Sequence, residues 1–243
     1  MIYMDDKIIV HYIYVNKHNK YDTTIPEQII QLQKLYVNYN NLEFKIHTYL
    51  SLYQEIKEYN KEYAILISKI NPLLPAFIAD IGRIFVLWKY GGIYHDAHIY
   101  IDNITFLLKI KEISKKYGYA FETHPIKNIS YACRSTNMAA IKNNKLFLKI
   151  LDKQMINLQR IEKELICNSN KRHNLWKELG MVFLEILLDE AKLINPTFTM
   201  KLVPNNENFC LLWDIKNLPK FYNNKNMDDH WTKIQLHVPF LIL

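Results

Sequence analysis

Ala79-Asp80-Ile81-Gly82-Arg83, continued by Leu87-Trp88-Lys89-Tyr90-Gly91-Gly92-Ile93-Tyr94-His95-Asp96-Ala97-His98, decides more about this chain than any other stretch. Phe77, Ile78, Ile81, Ile84, Phe85, Leu87 and Trp88 recur at helical spacing, which predicts a helix with one face built for a core. Asp80 and Arg83 stand at i and i+3, neighbours on one side of that helix close to the apolar stripe. Gly91 and Gly92 can take positive φ, so the helix stops there and the chain turns into a strand. Beyond the turn, Ile93, His95, Ala97, Ile99 and Ile101 alternate with Tyr94, Asp96, His98 and Tyr100. Asp96 and His98 therefore point the same way, close enough to share one divalent cation.

Outward from this stretch, strand and helix patterns alternate. Lys7 to Val15 is β-branched and aromatic, the pattern of a buried first strand. Pro26 opens a helical stretch from Glu27 to about Asn38, and Leu42 to Tyr49 reads as a second strand. Tyr53 to about Tyr59 is helical, with a further stretch to Ile70, before Asn71-Pro72 and Pro75 punctuate the chain. On the far side come a short helix over Lys109–Lys116, a strand over Gly118–Glu122 and an extended segment over Ile129–Ala140. Two long helices follow, Leu146 to about Leu165 and Leu175 to Leu193, joined by a polar, basic loop over Asn168–Asn174. A short strand is expected near Lys201-Leu202-Val203. This order predicts an α/β fold in one domain over residues 1–243, with a mostly parallel central sheet flanked by helices.

With 243 residues, of which 49% are hydrophobic, the chain has material for a large core. No stretch reaches the ~20 uninterrupted apolar residues of a membrane span, and the N-terminus lacks the pattern of a signal peptide. Cys133, Cys167 and Cys210 show no CxxC spacing, so they read as core thiols in a reducing cytoplasm. The formal charge of +7 calls for an anionic partner: a nucleotide sugar, an anionic glycolipid acceptor or an acidic membrane surface. The lysines are spread along the chain, and no RNP-like, helix-turn-helix or arginine-rich motif appears, so nucleic acid is not expected as a partner. Nor is there a P-loop, a GxGxxG or a Ser/His/Asp set.

The pattern Asp80-x-x-Arg83, Leu87-x-x-x-Gly91-Gly92-x-Tyr94-x-Asp96 resembles the sugar-nucleotide glycosyltransferases that carry a DxD sugar-binding region. That family includes yeast mannosyltransferases, bacterial capsule and lipopolysaccharide transferases, and the glucosylating clostridial toxins. The chain departs from it at His98, where the family has its second Asp. The resemblance implies a GT-A fold, with the nucleotide site at strand C-termini as open α/β sheets favour. It implies a hexose donor linked to UDP or GDP, a divalent cation (manganese, or magnesium) and retention of anomeric configuration. It implies that Asp96 and His98 serve the metal, the cation offsetting charge on the leaving diphosphate. Asp80, Arg83 and Tyr94 would contact the donor, although the first two also fit an ordinary helix-surface ion pair. Tyr14 sits where relatives stack an aromatic on the base, and it fits core packing equally well.

Further echoes are looser. Asn137 matches a family asparagine close to the transferred sugar. In Asp228-Asp229-His230-Trp231, His230 is a candidate third metal ligand and Trp231 a candidate lid, without the family's Ser-Trp pair. Lys171-Arg172-His173 reads as solvated loop charge, or as a contact for an anionic acceptor. The resemblance thus implies transfer to a hydroxyl of a glycan, glycolipid or protein. The missing second Asp and Ser-Trp pair leave open a binding module without turnover, and the toxin relatives leave open a secreted effector that glycosylates host protein.

Overall fold

The structure, a computed structural model, describes residues 7–16, 19–37, 41–96, 104–126, 130–194, 211–212 and 238–242. In chain order the elements begin β1 (Ile8–Tyr14), α1 (Glu27–Val37), β2 (Leu42–Thr48), α2 (Tyr49–Tyr59), α3 (Lys61–Ser68), α4 (Pro75–Tyr90) and β3 (Gly92–His95). They continue α5 (Ile104–Tyr117), β4 (Tyr119–Ile126), β5 (Ser130–Ala140), α6 (Lys145–Cys167), a π-helical turn (Trp176–Gly180), α7 (Val182–Ile194) and β6 (Leu211–Leu212).

One sheet runs in the order β2-β1-β3-β5-β4-β6. The helical crossovers make β1 parallel to both β2 and β3, and β6 is parallel to β4. β5 is antiparallel to both β3 and β4, so the sheet is mixed. Only residues 127–129 separate β4 from β5, too short a link for a parallel crossover. β1 lies between β2 and β3, so the chain's path across the sheet reverses beside it. The crevice at the C-terminal ends of β1 and β3 is the switch point where such sheets bind ligands.

Alternation along the strands builds a core on each face of the sheet. Ile8, Val10, Tyr12, Ile93, Ala120 and Ala139 pack with Leu107 and Ile110 of α5. Ile13, Tyr94, Phe121 and Met138 join the larger core formed with α2, α3, α4, α6 and α7. The α4 stripe is buried as its periodicity requires, from Phe77 through Ile81 to Leu87. Gly91 and Gly92 take φ of +70° and +98°. A Cβ on Gly92 would stand 2.4 Å from the Ile9 carbonyl oxygen, so this turn admits nothing larger.

The structure corrects four expectations. α2 starts at Tyr49, directly after the strand, because Thr48 and Ser51 form a reciprocal capping box. α5 begins at Ile104, well before Lys109. The helix expected from Leu175 is interrupted by the π turn, where Met181 N–H donates to Trp176 O at 2.8 Å. Cys167, expected in the core, is an exposed thiol at the end of α6. Residues 201–203 and Cys210 lie outside the described residues.

Candidate active site

Four side chains, from α4, β3 and the residue that follows β3, converge at the C-terminal end of that strand. Arg83 Nη2 lies 2.6 Å from Asp80 Oδ1, and Nη1 lies 3.5 Å from Asp96 Oδ1. The Tyr94 hydroxyl donates to the same Asp96 oxygen at 2.8 Å. The Arg83 guanidinium also sits 5.0 Å from the centre of the Tyr94 ring, and Nε donates to Ala79 O at 3.3 Å. Side-chain exposure is only 7% for Arg83, 13% for Asp80 and 20% for Asp96, which rules out the surface ion pair. Asp80 and Arg83 are neighbours because they are one helical turn apart; they are buried because β3, α6 and the π turn cover that side of α4.

Two carboxylates facing one guanidinium leave the cluster with a net negative charge. Burial raises the Asp80 pKa to about 6; Arg83 pulls it down and Asp96 pushes it up. Burial opposes the Arg83 charge, but Tyr94, Asp80 and Asp96 together hold its pKa above the ordinary value. The Tyr94 phenol is pushed well up, first by burial, and stays a hydrogen-bond donor.

Neighbouring elements fix these groups. A Cβ on Gly180 would stand 3.0 Å from Asp80 Oδ2, so the π turn sits against the carboxylate closely enough that an added side chain would have to displace one of them slightly. Gln154 Nε2 of α6 donates to Asp80 O at 3.2 Å and to Leu179 O at 2.9 Å, tying that turn to α4. Asp96 N–H donates to Thr136 O at 2.9 Å, which anchors the end of β3 on β5. On the α4 side of β1, His11 Nε2 lies 2.8 Å from Gly91 O, and His11 Nδ1 lies 2.9 Å from His47 Nε2.

Of the remaining sequence candidates, Tyr14 ends β1 at the switch point, half-buried, in register with Thr48. Asn137 is buried opposite His95, and its Oδ1 lies 2.6 Å from His95 Nδ1, on the α5 face of the sheet rather than the Tyr94 face. His98, His230 and Trp231 lie outside the described residues. The basic loop is exposed at residues 168–172, as solvated loop charge is; the His173 side chain is covered between Glu164 and Glu178, and Lys171 pairs with Glu164 at 2.9 Å. Sequence reasoning missed His11, His47, Gln154 and Gly180. A histidine in the middle of a β-branched strand was the one available signal, since a buried imidazole demands partners.

Among the described residues, no group of three or more His, Cys, Asp and Glu side chains could hold a metal ion. Asp96 offers a carboxylate, a hard oxygen ligand that suits manganese or magnesium. Among the described residues, no helix is long and apolar enough to cross a membrane.

Residues 10–103 match the family model of the glycosyltransferase sugar-binding region containing a DXD motif. No curated protein matches the chain in sequence. Among solved structures, the PaToxG glycosyltransferase is similar over 79% of this chain and 72% of that one, with 20% identity and a TM-score of 0.50. The UDP-bound glycosyltransferase domain from the YGT toxin is similar over 70% of this chain and 44% of its own, with 13% identity and a TM-score of 0.35. The GT-A-like sheet expected from the sequence is the fold found. Residues 10–103 thus carry the likeness to a DXD-containing sugar-binding region, and the likeness to the PaToxG glycosyltransferase is one of fold.

Proposed function

We propose that the chain transfers a hexose from a UDP- or GDP-sugar to a hydroxyl acceptor with retention of configuration, assisted by a divalent cation. The observation that carries this reading is the buried Asp80–Arg83–Tyr94–Asp96 cluster beside the switch point of the sheet. Arg83 grips both carboxylates and so fixes their spacing, and its permanent charge suits an anionic donor. Asp80 would accept hydrogen bonds from hydroxyls of the donor sugar, and Asp96 would present oxygen to the cation and ribose. Tyr14 stacks on the base. His98 and His230 are the further proposed ligands, Trp231 the proposed lid, and Asn137 the proposed neighbour of the transferred sugar. The cation, when bound, offsets the negative charge that develops on the leaving diphosphate.

In the step itself the acceptor oxygen bonds to the anomeric carbon as the bond to the β-phosphate oxygen breaks. Attack comes from the face that the diphosphate leaves, and the departing phosphate takes the acceptor proton. Positioning and electrostatic stabilisation then supply the catalysis, without a separate general base. The net charge of +7 supports an anionic acceptor or a peripheral contact with an anionic membrane. The exposed Cys167 thiol supports a reducing, cytoplasmic setting.

The test is donor hydrolysis and transfer across UDP- and GDP-hexoses, with and without manganese. Turnover of one donor, lost with chelator, is the expected result. Nucleotide binding without turnover of any donor would instead make the chain a binding module.

A further inference from the structure

The Gly91 turn sets where β3 begins, and Asp96 follows β3 immediately. Gly91 holds φ 70° and ψ −165°, a backbone region essentially confined to glycine. Something must hold that peptide, and a buried polar chain on the α4 side of the sheet does so. His11 and His47 are both buried. Gly91 O can only accept, so His11 carries its proton on Nε2, 2.8 Å away. The Nδ1 atom of a neutral His11 is then an acceptor, and His47 Nε2, at 2.9 Å, must donate to it. That leaves His47 Nδ1 with a lone pair, 3.9 Å from Glu55 Oε1.

Burial lowers the His11 pKa to about 3 and the His47 pKa to about 4, so both rings are neutral at physiological pH. The other Glu55 oxygen accepts from the Tyr90 hydroxyl at 2.6 Å and from Lys89 Nζ at 3.1 Å. Lys45 lies 4.6 Å from the centre of the Tyr90 ring. The last residues of α4 and the Gly91 carbonyl are thus held from β1, β2 and α2 at once.

We propose that His11 and His47 are positioning residues, each with its proton on Nε2, forming a one-way chain that fixes the Gly91 peptide and thereby the placement of Asp96. Neither ring touches the reacting groups. The inference rests on the glycosyltransferase reading for its effect on turnover, but the proton positions belong to the chain with no substrate present.

The substitutions His11→Gln and His11→Asn separate this role from simple packing. The Gln amide nitrogen reaches the place of Nε2 and can still donate to Gly91 O; the Asn amide ends near Nδ1 and cannot. The 243-residue chain is first read by long-range ¹H–¹⁵N NMR, which distinguishes the two histidine tautomers. Nε2–H forms at both His11 and His47 are expected. His11→Asn should then shift the amide signals of Gly91 to Asp96 more than His11→Gln does, with both variants folded by thermal melt. Donor turnover should fall by about 10- to 100-fold in His11→Asn, the scale for misplacement of a reacting group, and within about threefold in His11→Gln. His47→Ala should reproduce part of the Asn loss, because His11 Nδ1 loses its donor.

An Nδ1–H form at His11, or equal amide shifts in the Asn and Gln variants, would overturn the proposal. If the wild type turns over no nucleotide sugar, the proposed function falls, and the NMR results alone decide the positioning role.

Discussion

Arg83 is the substitution from which the structure predicts most. Its guanidinium lies 2.6 Å from Asp80 and 3.5 Å from Asp96, with side-chain exposures of 7%, 13% and 20%. Arg83→Met keeps length and apolar bulk but leaves two carboxylates facing each other without a cation. Breaking a buried pair in this way costs about 3–5 kcal/mol. For a chain of this size that corresponds to a fall in Tm of roughly 6–20 °C. The loss should also depend on pH. Burial already raises Asp80 to about 6, and Arg83 is what pulls it down. Without Arg83 the carboxyl climbs further and takes a proton near neutrality. The folded variant then binds more protons than the folded wild type, so its relative stability improves as pH falls. Calorimetric melts at pH 7.5 and 5.5 should show the gap between variant and wild type narrowing at the lower pH. A Tm within about 2 °C of wild type at pH 7.5, or a gap that widens on acidification, would refute the reasoning. Asp80→Asn, nearly isosteric, is the companion for function: it should lose donor turnover with a much smaller loss of Tm.

Gly180→Ala places a Cβ 3.0 Å from Asp80 Oδ2, so either the carboxylate or the π turn must shift by a few tenths of an ångström. Donor turnover should fall by about tenfold while Tm changes little, and unchanged turnover would show that the contact is not used. His11, His47 and His95 are buried with pKa values of about 3, 4 and 4, against about 6.5 in an unfolded chain. Between those values the unfolded state binds more protons, so stability falls as pH drops from about 6.5 towards 4. At pH 5 each buried ring costs about 2 kcal/mol, partly offset by Asp80, and urea midpoints at pH 7 and 5 measure the sum. Tyr14→Ala should weaken nucleotide binding by about 1–3 kcal/mol in calorimetric titration, with Tyr14→Trp tolerated. A Trp variant that binds as poorly as the Ala variant would mark Tyr14 as a packing residue.

Sequence alone determined what depends on neighbours along the chain. The α4 stripe, the Gly91-Gly92 stop and the alternation that separates Ile93 from Tyr94 are periodicities of 3.6 and 2, and each matches its element in the structure. The i, i+3 spacing brought Asp80 beside Arg83 for the same reason. Tertiary structure decided what depends on chain segments meeting from far away. Burial of the Asp80–Arg83 pair required Gly180 and Gln154 to arrive from α6 and the π turn, and no local pattern announces that approach. The side of the sheet on which Asn137 lies follows from strand register, where a shift of one residue reverses every side chain. The antiparallel β4–β5 pair follows from the three-residue link between an expected strand that runs on to Ile126 and a segment that the sequence pattern marked only as extended. His11 read as one more residue of a buried strand; its partners His47 and Gly91 lie 36 and 80 residues further along the chain. Spacing along the chain cannot reveal which donor a buried acceptor will meet, because hydrogen-bond satisfaction is settled only when the strands and helices close around it.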